Sequence, residues 1–404
     1  MKHFRILYRY EWKKLLGKKI VWISFLLVFF MLALAVFSPL FGGYYIEGKY
    51  MGTTYEMDQV DKAYAQALNG REIDQTLMEE TIAAYRNIPQ NLDIHYMATD
   101  EFQKYARPYS EIFIFLRRMS GMTTSELMYS WEPNYDDFAA KRQTYLQSYR
   151  KEARLSAGET DFWQAREATI KTPYVYEEHG GYSHLLSYYQ TFGFFVLMLT
   201  AICLSGIFTD EHTRKTDQIV LCSPLGKTAL YSAKIAVGIS FAALSTALYL
   251  VFLFLSTLCL YGLEGYQAPY QFLDALSSDP VSCGQALLIA YGILFIAAVV
   301  ISVFVMVLSE LLRSGIATLA ISTGLLLLSM IFTVPKQYRV FSQIWDWLPW
   351  SFLSPLNVFG NYTVSVFGHY FTPWQAVPVI YLAVSVIIVL IGKPVYQRFQ
   401  VSGR

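Results

Sequence analysis

The chain has 404 residues, of which 54% are hydrophobic, 17% aromatic and only 16% charged, a balance that excludes an ordinary soluble enzyme of this length and points to a membrane protein. Lys and Arg number 32 against 31 acids, so the net charge of +1 names no partner and gives no basis for nucleic-acid binding. Four Cys (203, 222, 259 and 283) lie in or beside apolar runs, which excludes a disulfide-stapled scaffold for the polar part of the chain.

Residues 1–19 carry seven Lys/Arg and one Glu, with Phe4, Leu7, Tyr8, Trp12, Leu15 and Leu16 at three-to-four spacing. This predicts an amphipathic basic helix lying on the cytoplasmic membrane face. The apolar run 20–41 is long enough to span the bilayer. The competing reading, a secretory signal cleaved near Ala33-Leu34-Ala35, is disfavoured because the run continues past that point.

A mixed-composition segment follows at 42–187, large enough to bury a core of its own. Met57, Val60, Tyr64 and Leu68 repeat at helical spacing, as do Ile73, Leu77 and Tyr85 up to Pro89. Thr123 with Glu126 reads as a capping box, Asn134 as the cap of a helix running to about Leu155, and Thr160 as the cap of another before Pro173. The segment should be mainly helical. It has 15 Lys/Arg and 22 Asp/Glu but no metal spacing, nucleophile motif or phosphate loop, so Asp136-Asp137 and Glu177-Glu178 read as solvated surface.

Further apolar runs at 188–208, 232–262, 285–308, 315–334 and 375–392 bring the expected total to six spans, in an all-α polytopic membrane protein. An even count puts both termini on one side. Residues 209–234 carry four Lys/Arg, and the tail 393–404 carries Lys393, Arg398 and Arg404, whereas the loop 263–284 carries none. The positive-inside rule therefore places the termini and the 209–231 loop in the cytoplasm of a cell membrane, with 42–187 outside. The segment 335–374, with Trp345, Trp347, Trp350 and Trp374 among several Pro, reads as re-entrant or interfacial helices on the outer face. Cys259 and Cys283 could pair across the 263–284 loop; buried inert thiols are the plainer account.

No ionisable residue lies deep in any span, the nearest being Glu310, so a secondary transporter driven by protons or ions is disfavoured. Ser and Thr are frequent in the third and fifth spans, where they allow close helix packing or line a path. Gly226-Lys227-Thr228 has the ending of a phosphate-binding loop, but Leu221 stands where that loop needs Gly, so no nucleotide or other cofactor site is encoded.

In layout the chain resembles a permease subunit of the ABC-2 type transporter family: a basic amphipathic helix before the first span, a large outer domain after it, and aromatic re-entrant helices before the last. Between the second and third spans such permeases show an acidic-then-basic patch, a short helix, Ser-Pro, and a Lys entering the third span. Here Asp210, Glu211, Arg214, Lys215, Ser223, Pro224 and Lys234 occupy that order. The outer domain is longer than in many relatives. The resemblance implies an exporter half that pairs with a second permease chain and docks a separate ATPase, which binds ATP-Mg, through a helix over 210–222. Two other readings stay open: a sensor that binds a ligand on the outer domain, and a scaffold that holds a partner there.

Overall fold

The computed structural model describes residues 2–89, 95–213, 226 and 228–397. The chain opens with helix α1 (Lys2–Leu16) and helix α2 (Lys19–Phe37), broken at Gly17-Lys18, where Lys18 turns to extended backbone. A short hairpin, β1 (Gly43–Ile46) and β2 (Lys49–Thr53), leads into helices α3 (Thr54–Ala67), α4 (Gln75–Arg86), α5 (Ser110–Ser120), α6 (Tyr135–Glu152) and α7 (Ala157–Glu167). This polar domain is mainly helical, as its periodicity predicts. Asn134 caps α6, its side-chain oxygen accepting from the Asp137 amide. The expected cap at Thr160 is corrected: α7 starts four residues earlier, because Ser156 and Glu159 form a reciprocal capping box. The domain's core includes Leu77, Ile82, Tyr85, Phe113, Leu116 and Leu127, all buried, with the Tyr85 and Phe113 rings stacked at 3.7 Å.

Among the described residues, five helices are long and apolar enough to cross a membrane, by length and composition: Lys19–Leu40, Gly180–Thr213, Ala229–Tyr261, Cys283–Leu312 and Pro373–Gln397. The second runs as α8 (Gly180–Leu204) to a turn and the short α9 (Thr209–Thr213); the others are α2, α10 (Ala229–Tyr261), α11 (Cys283–Leu312) and α15 (Pro373–Gln397). The α8 helix begins at Gly180 rather than near 188, so the polar domain closes earlier than its composition implies. The run expected to span at 315–334 folds as α12 (Gly315–Ile331), 17 residues long. At 1.5 Å per residue that is about 26 Å, short of a hydrocarbon core of about 30 Å.

Helix α11 sits at the centre, packed on α8, α10, α12 and α15, while α1 lies along α10 and α2 along α8. Close approach is built in at Gly238, where a β-carbon would fall 2.2 Å from the Met306 sulfur. The hydroxyls of Ser245, Thr246, Ser256, Thr318 and Thr323 donate to carbonyls of their own helices, which satisfies them without neighbours. Ser309 is an exception; its hydroxyl crosses to the Ser205 carbonyl at 2.7 Å.

Residues 335–374 form the short helices α13 (Arg339–Asp346) and α14 (Pro355–Val358) and a second hairpin, β3 (Val364–Val366) with β4 (His369–Phe371), which no pattern in the sequence anticipates. Buried polar contacts tie the polar domain to this segment and to the 263–282 loop. Trp163 donates to the Asn361 carbonyl at 2.8 Å, Arg339 pairs with Glu159 at 2.6 Å, and Arg166 pairs with Asp279 at 2.6 Å. Arg142, itself buried, pairs with Glu167 at 2.9 Å and also donates to the Ala275 carbonyl. The domain and these two loops thus share one end of the helix bundle. Cys203, Cys259 and Cys283 are free thiols, so the 259–283 bridge is not formed; the Cys283 thiol rests on the Pro269 carbonyl.

Candidate functional site

At the opposite end of the bundle α1, α9, α10 and the ends of α11 and α15 converge. Lys234, one turn into α10, has no solvent exposure. Its ammonium lies 2.9 Å from Glu211 on α9 and 3.7 Å from Glu11 on α1, and donates to the Ile207 carbonyl at 2.7 Å. The Phe208 ring lies 5.1 Å away. An ammonium has three donors and no acceptor, and burial without partners would cost several kcal/mol. Here two carboxylates and a carbonyl meet it.

The pairing extends outward along α1. Lys14 reaches the same Glu211 oxygen at 2.7 Å and Glu11 at 3.6 Å, and Lys18 pairs with Asp210 at 2.6 Å. Burial works against the charge of Lys14, but Glu211 and Glu11 outweigh it and hold its pKa above the ordinary lysine value. Among the described residues, Glu11, Asp210 and Glu211 are matched by Lys14, Lys18 and Lys234. The helical spacing explains why α1 can do this: Glu11 and Lys14 lie one turn apart, with Tyr8 on the same side, whose hydroxyl donates to Ser240 of α10 at 2.9 Å.

Two further links connect α9 to the rest. His212 approaches Glu310 of α11 at 3.5 Å, and Glu310 is buried. Phe208, Tyr231 and Tyr396 pack ring on ring, with centroids 5.5–5.7 Å apart. Within that cluster Tyr231 donates to the Val389 carbonyl at 2.8 Å and Tyr396 to the Gly226 carbonyl at 3.1 Å, which fastens the start of α10 to α15.

Of the residues predicted for this site, Asp210, Glu211 and Lys234 are therefore brought together. The helix expected over 210–222 is described only as Thr209–Thr213; Arg214, Lys215, Ser223 and Pro224, with Lys227 of the incomplete phosphate loop, lie outside the described residues. Sequence reasoning missed Glu11, Lys14, Lys18, His212 and the buried setting of Lys234. One signal was present: Glu11 is the single acid among seven basic residues in 1–19, an oddity for a helix meant only to lie on lipid headgroups. Among the described residues no group of His, Cys, Asp or Glu is placed to hold a metal ion.

The site joins one short charged helix to α1, α10 and α11 through ion pairs, with ring packing and tyrosine hydrogen bonds to α15, and contains no nucleophile or phosphate cradle among the described residues. No curated protein and no solved structure matches the chain. Residues 5–397 match the family model described as ABC-2 family transporter protein, and the chain belongs to that family.

Proposed function

We infer that this chain, as a member of that family, is a multi-pass membrane component of an ABC transporter, the kind of subunit that associates with an ABC ATPase. We propose that it is the permease half of an exporter, with α12 as a sixth span, both termini in the cytoplasm of the cell membrane and the polar domain outside. Two such chains, identical or paralogous, would enclose the path. The ATPase would bind ATP-Mg and dock on the 209–234 segment.

The observation that carries this reading is the buried Glu211–Lys234 pair, which ties that segment directly to the third span. In the proposal, Arg214, Lys215, Ser223 and Pro224 grip the motor. Asp210, Glu211 and Lys234 face inward and transmit its movement, with His212–Glu310 passing it to α11. A surface loop serving only to place positive charge near headgroups would not need a fully buried lysine to hold it. The sidedness is supported by the fold: the polar domain shares its end with the lysine-poor 263–282 loop, and the coupling cluster lies at the basic end.

Affinity purification of the chain from native membranes tests the reading. An ABC ATPase should accompany it in stoichiometric amount. Recovery with no ATPase, together with ligand binding that leaves ATP turnover unaffected, would favour the sensor instead.

A further inference from the structure

Where the polar domain meets the outer ends of α8 and α10 there is a cavity of about 180 Å³. Asp58, Asp61 and Lys62 of α3, Glu111 of α5 and Glu178 line it, with Tyr176 and Tyr261 among its aromatic walls. The acids are in excess. Asp61 is paired with Arg107 at 2.6 Å, and Lys62 is turned to the Tyr261 carbonyl at 2.6 Å. That leaves Asp58, Glu111 and Glu178 with Lys62 as the one full-time cation in the lining.

Glu178 supplies the second and independent observation. It is 3% exposed; one of its carboxylate oxygens accepts from the Gly180 amide at 2.6 Å, and the other, Oε2, has no hydrogen-bond partner among the described residues. A buried carboxylate oxygen left without a donor is costly, and native structures supply one or assign the group a role. Its position is fixed rather than adaptable. Gly265, with φ +79°, lets the 262–266 turn press so close that a β-carbon there would meet the Glu178 carbonyl at 2.0 Å.

Across the cavity Asp58 accepts from the Tyr261 hydroxyl at 3.3 Å, and the His184 ring, stacked on that of Tyr261, comes within 3.8 Å of it. The ring of His179 is buried, which lowers its pKa and favours the neutral form. Glu178 and Asp58 thus each have one oxygen already engaged, so a ligand that reaches the other must donate hydrogen bonds. The surplus of acid asks for a positive charge, and the tyrosine walls favour an organic body over a bare ion. Among the described residues the geometry does not gather a metal-ligand set.

We propose that this cavity binds a primary alkylammonium group, with Glu178 and Asp58 as its acceptors. Burial raises the pKa of Asp58 to about 6 and those of Glu178 and Glu111 above the usual carboxylate range, the response of acids whose counter-charge is missing. An ammonium would restore the ionised forms and fasten the polar domain to α8 and α10 at once. The inference is independent of ATPase docking.

The test uses the full chain in lipid nanodiscs at pH 7.5 and constant ionic strength, with n-butylammonium chloride as the probe, followed by thermal unfolding and calorimetric titration. Saturable stabilisation is expected. Glu178→Gln and Asp58→Asn should each weaken binding at least tenfold, and tetraethylammonium, which has no N–H to donate, should have no effect. The proposal is overturned if n-butylammonium produces no saturable shift, if tetraethylammonium or sodium matches it, if calcium displaces it at lower concentration, or if binding survives in Asp58→Asn. Asp58 is only half-buried, so that variant remains decisive even where Glu178→Gln fails to fold.

Discussion

Replacing Lys234 with Met keeps an unbranched side chain one atom shorter and removes the charge on which the α1–α9–α10 junction is centred. With an effective dielectric constant of about 20, unit charges 2.9 Å apart attract by about 6 kcal/mol and those 3.7 Å apart by about 4 kcal/mol. Most of this is offset by the desolvation of a fully buried ammonium. The net loss is set instead by what is left behind: Glu11 and Glu211, both buried, deprived of one of the two lysines that bridge them. Breaking a buried pair from one side costs about 3–5 kcal/mol. Lys14 still reaches Glu211 at 2.7 Å, so the lower part of that range applies. Thermal unfolding of the chain in nanodiscs should show Lys234→Met markedly destabilised, and Glu211→Gln destabilised as well, since Lys234 is then left with Glu11 alone. The double variant Lys234→Met/Glu211→Gln should recover part of the loss, with a coupling of about 1–2 kcal/mol in the cycle. A Lys234→Met protein as stable as the parent, or strictly additive effects, would refute the view that this pair holds the junction.

Other consequences follow from the polar domain and the helix core. The proton on Asp58 is retained in the fold up to about pH 6, whereas an unfolded aspartate releases it near 3.9, so the native state binds more protons across that window. Stability should therefore fall as pH rises from about 4 to 6, by about 1–2 kcal/mol once screening is allowed for, since the side chain is 29% exposed and has Asp61, His184 and Tyr261 around it. Asp58→Asn should abolish that slope in calorimetric scans and raise stability at neutral pH. Trp163→Ala empties a fully buried site and frees the Asn361 carbonyl; a loss of about 3–5 kcal/mol and faster amide exchange across 339–363 are expected. Gly238→Ala drives a methyl into Met306 and should cost about 1–3 kcal/mol, relieved in part by Met306→Ala in the same chain.

The apolar runs gave away most of the membrane architecture, because a bilayer demands length and hydrophobicity that few soluble segments have. What they could not convey is which helix is central: α8 and α11 differ from α2 and α15 in what covers them, not in composition. The start of α8 was misplaced because residues 180–187 contain His184 and several polar side chains, and only tertiary contact with α3 and the 262–266 turn makes them helical and buried. The β3–β4 hairpin was hidden for a related reason, three-residue strands being too short to alternate visibly. At the α1–α9–α10 junction, Asp210, Glu211 and Lys234 were singled out by order along the chain and family resemblance. Their partners Glu11, Lys14 and Lys18 were not, since a contact across some two hundred residues leaves no spacing to read. The expectation that Lys234 merely enters the third span understated it; the lysine is enclosed because α1 folds back over α10.

In the proposed mechanism Arg214 and Lys215 grip an ATPase, and Asp210, Glu211 and Lys234 transmit its movement to the helix bundle. The most direct measurement is retention of the ATPase subunit, and its ATP turnover, by nanodisc-embedded permease carrying Arg214→Glu, at low and at high salt. The account predicts an unchanged unfolding temperature for the permease itself, with the ATPase lost from the complex and turnover falling to that of the isolated subunit. In the parent, high salt should weaken the complex in the same direction. An Arg214→Glu permease that keeps its ATPase, with turnover and salt response unaltered, would contradict the account.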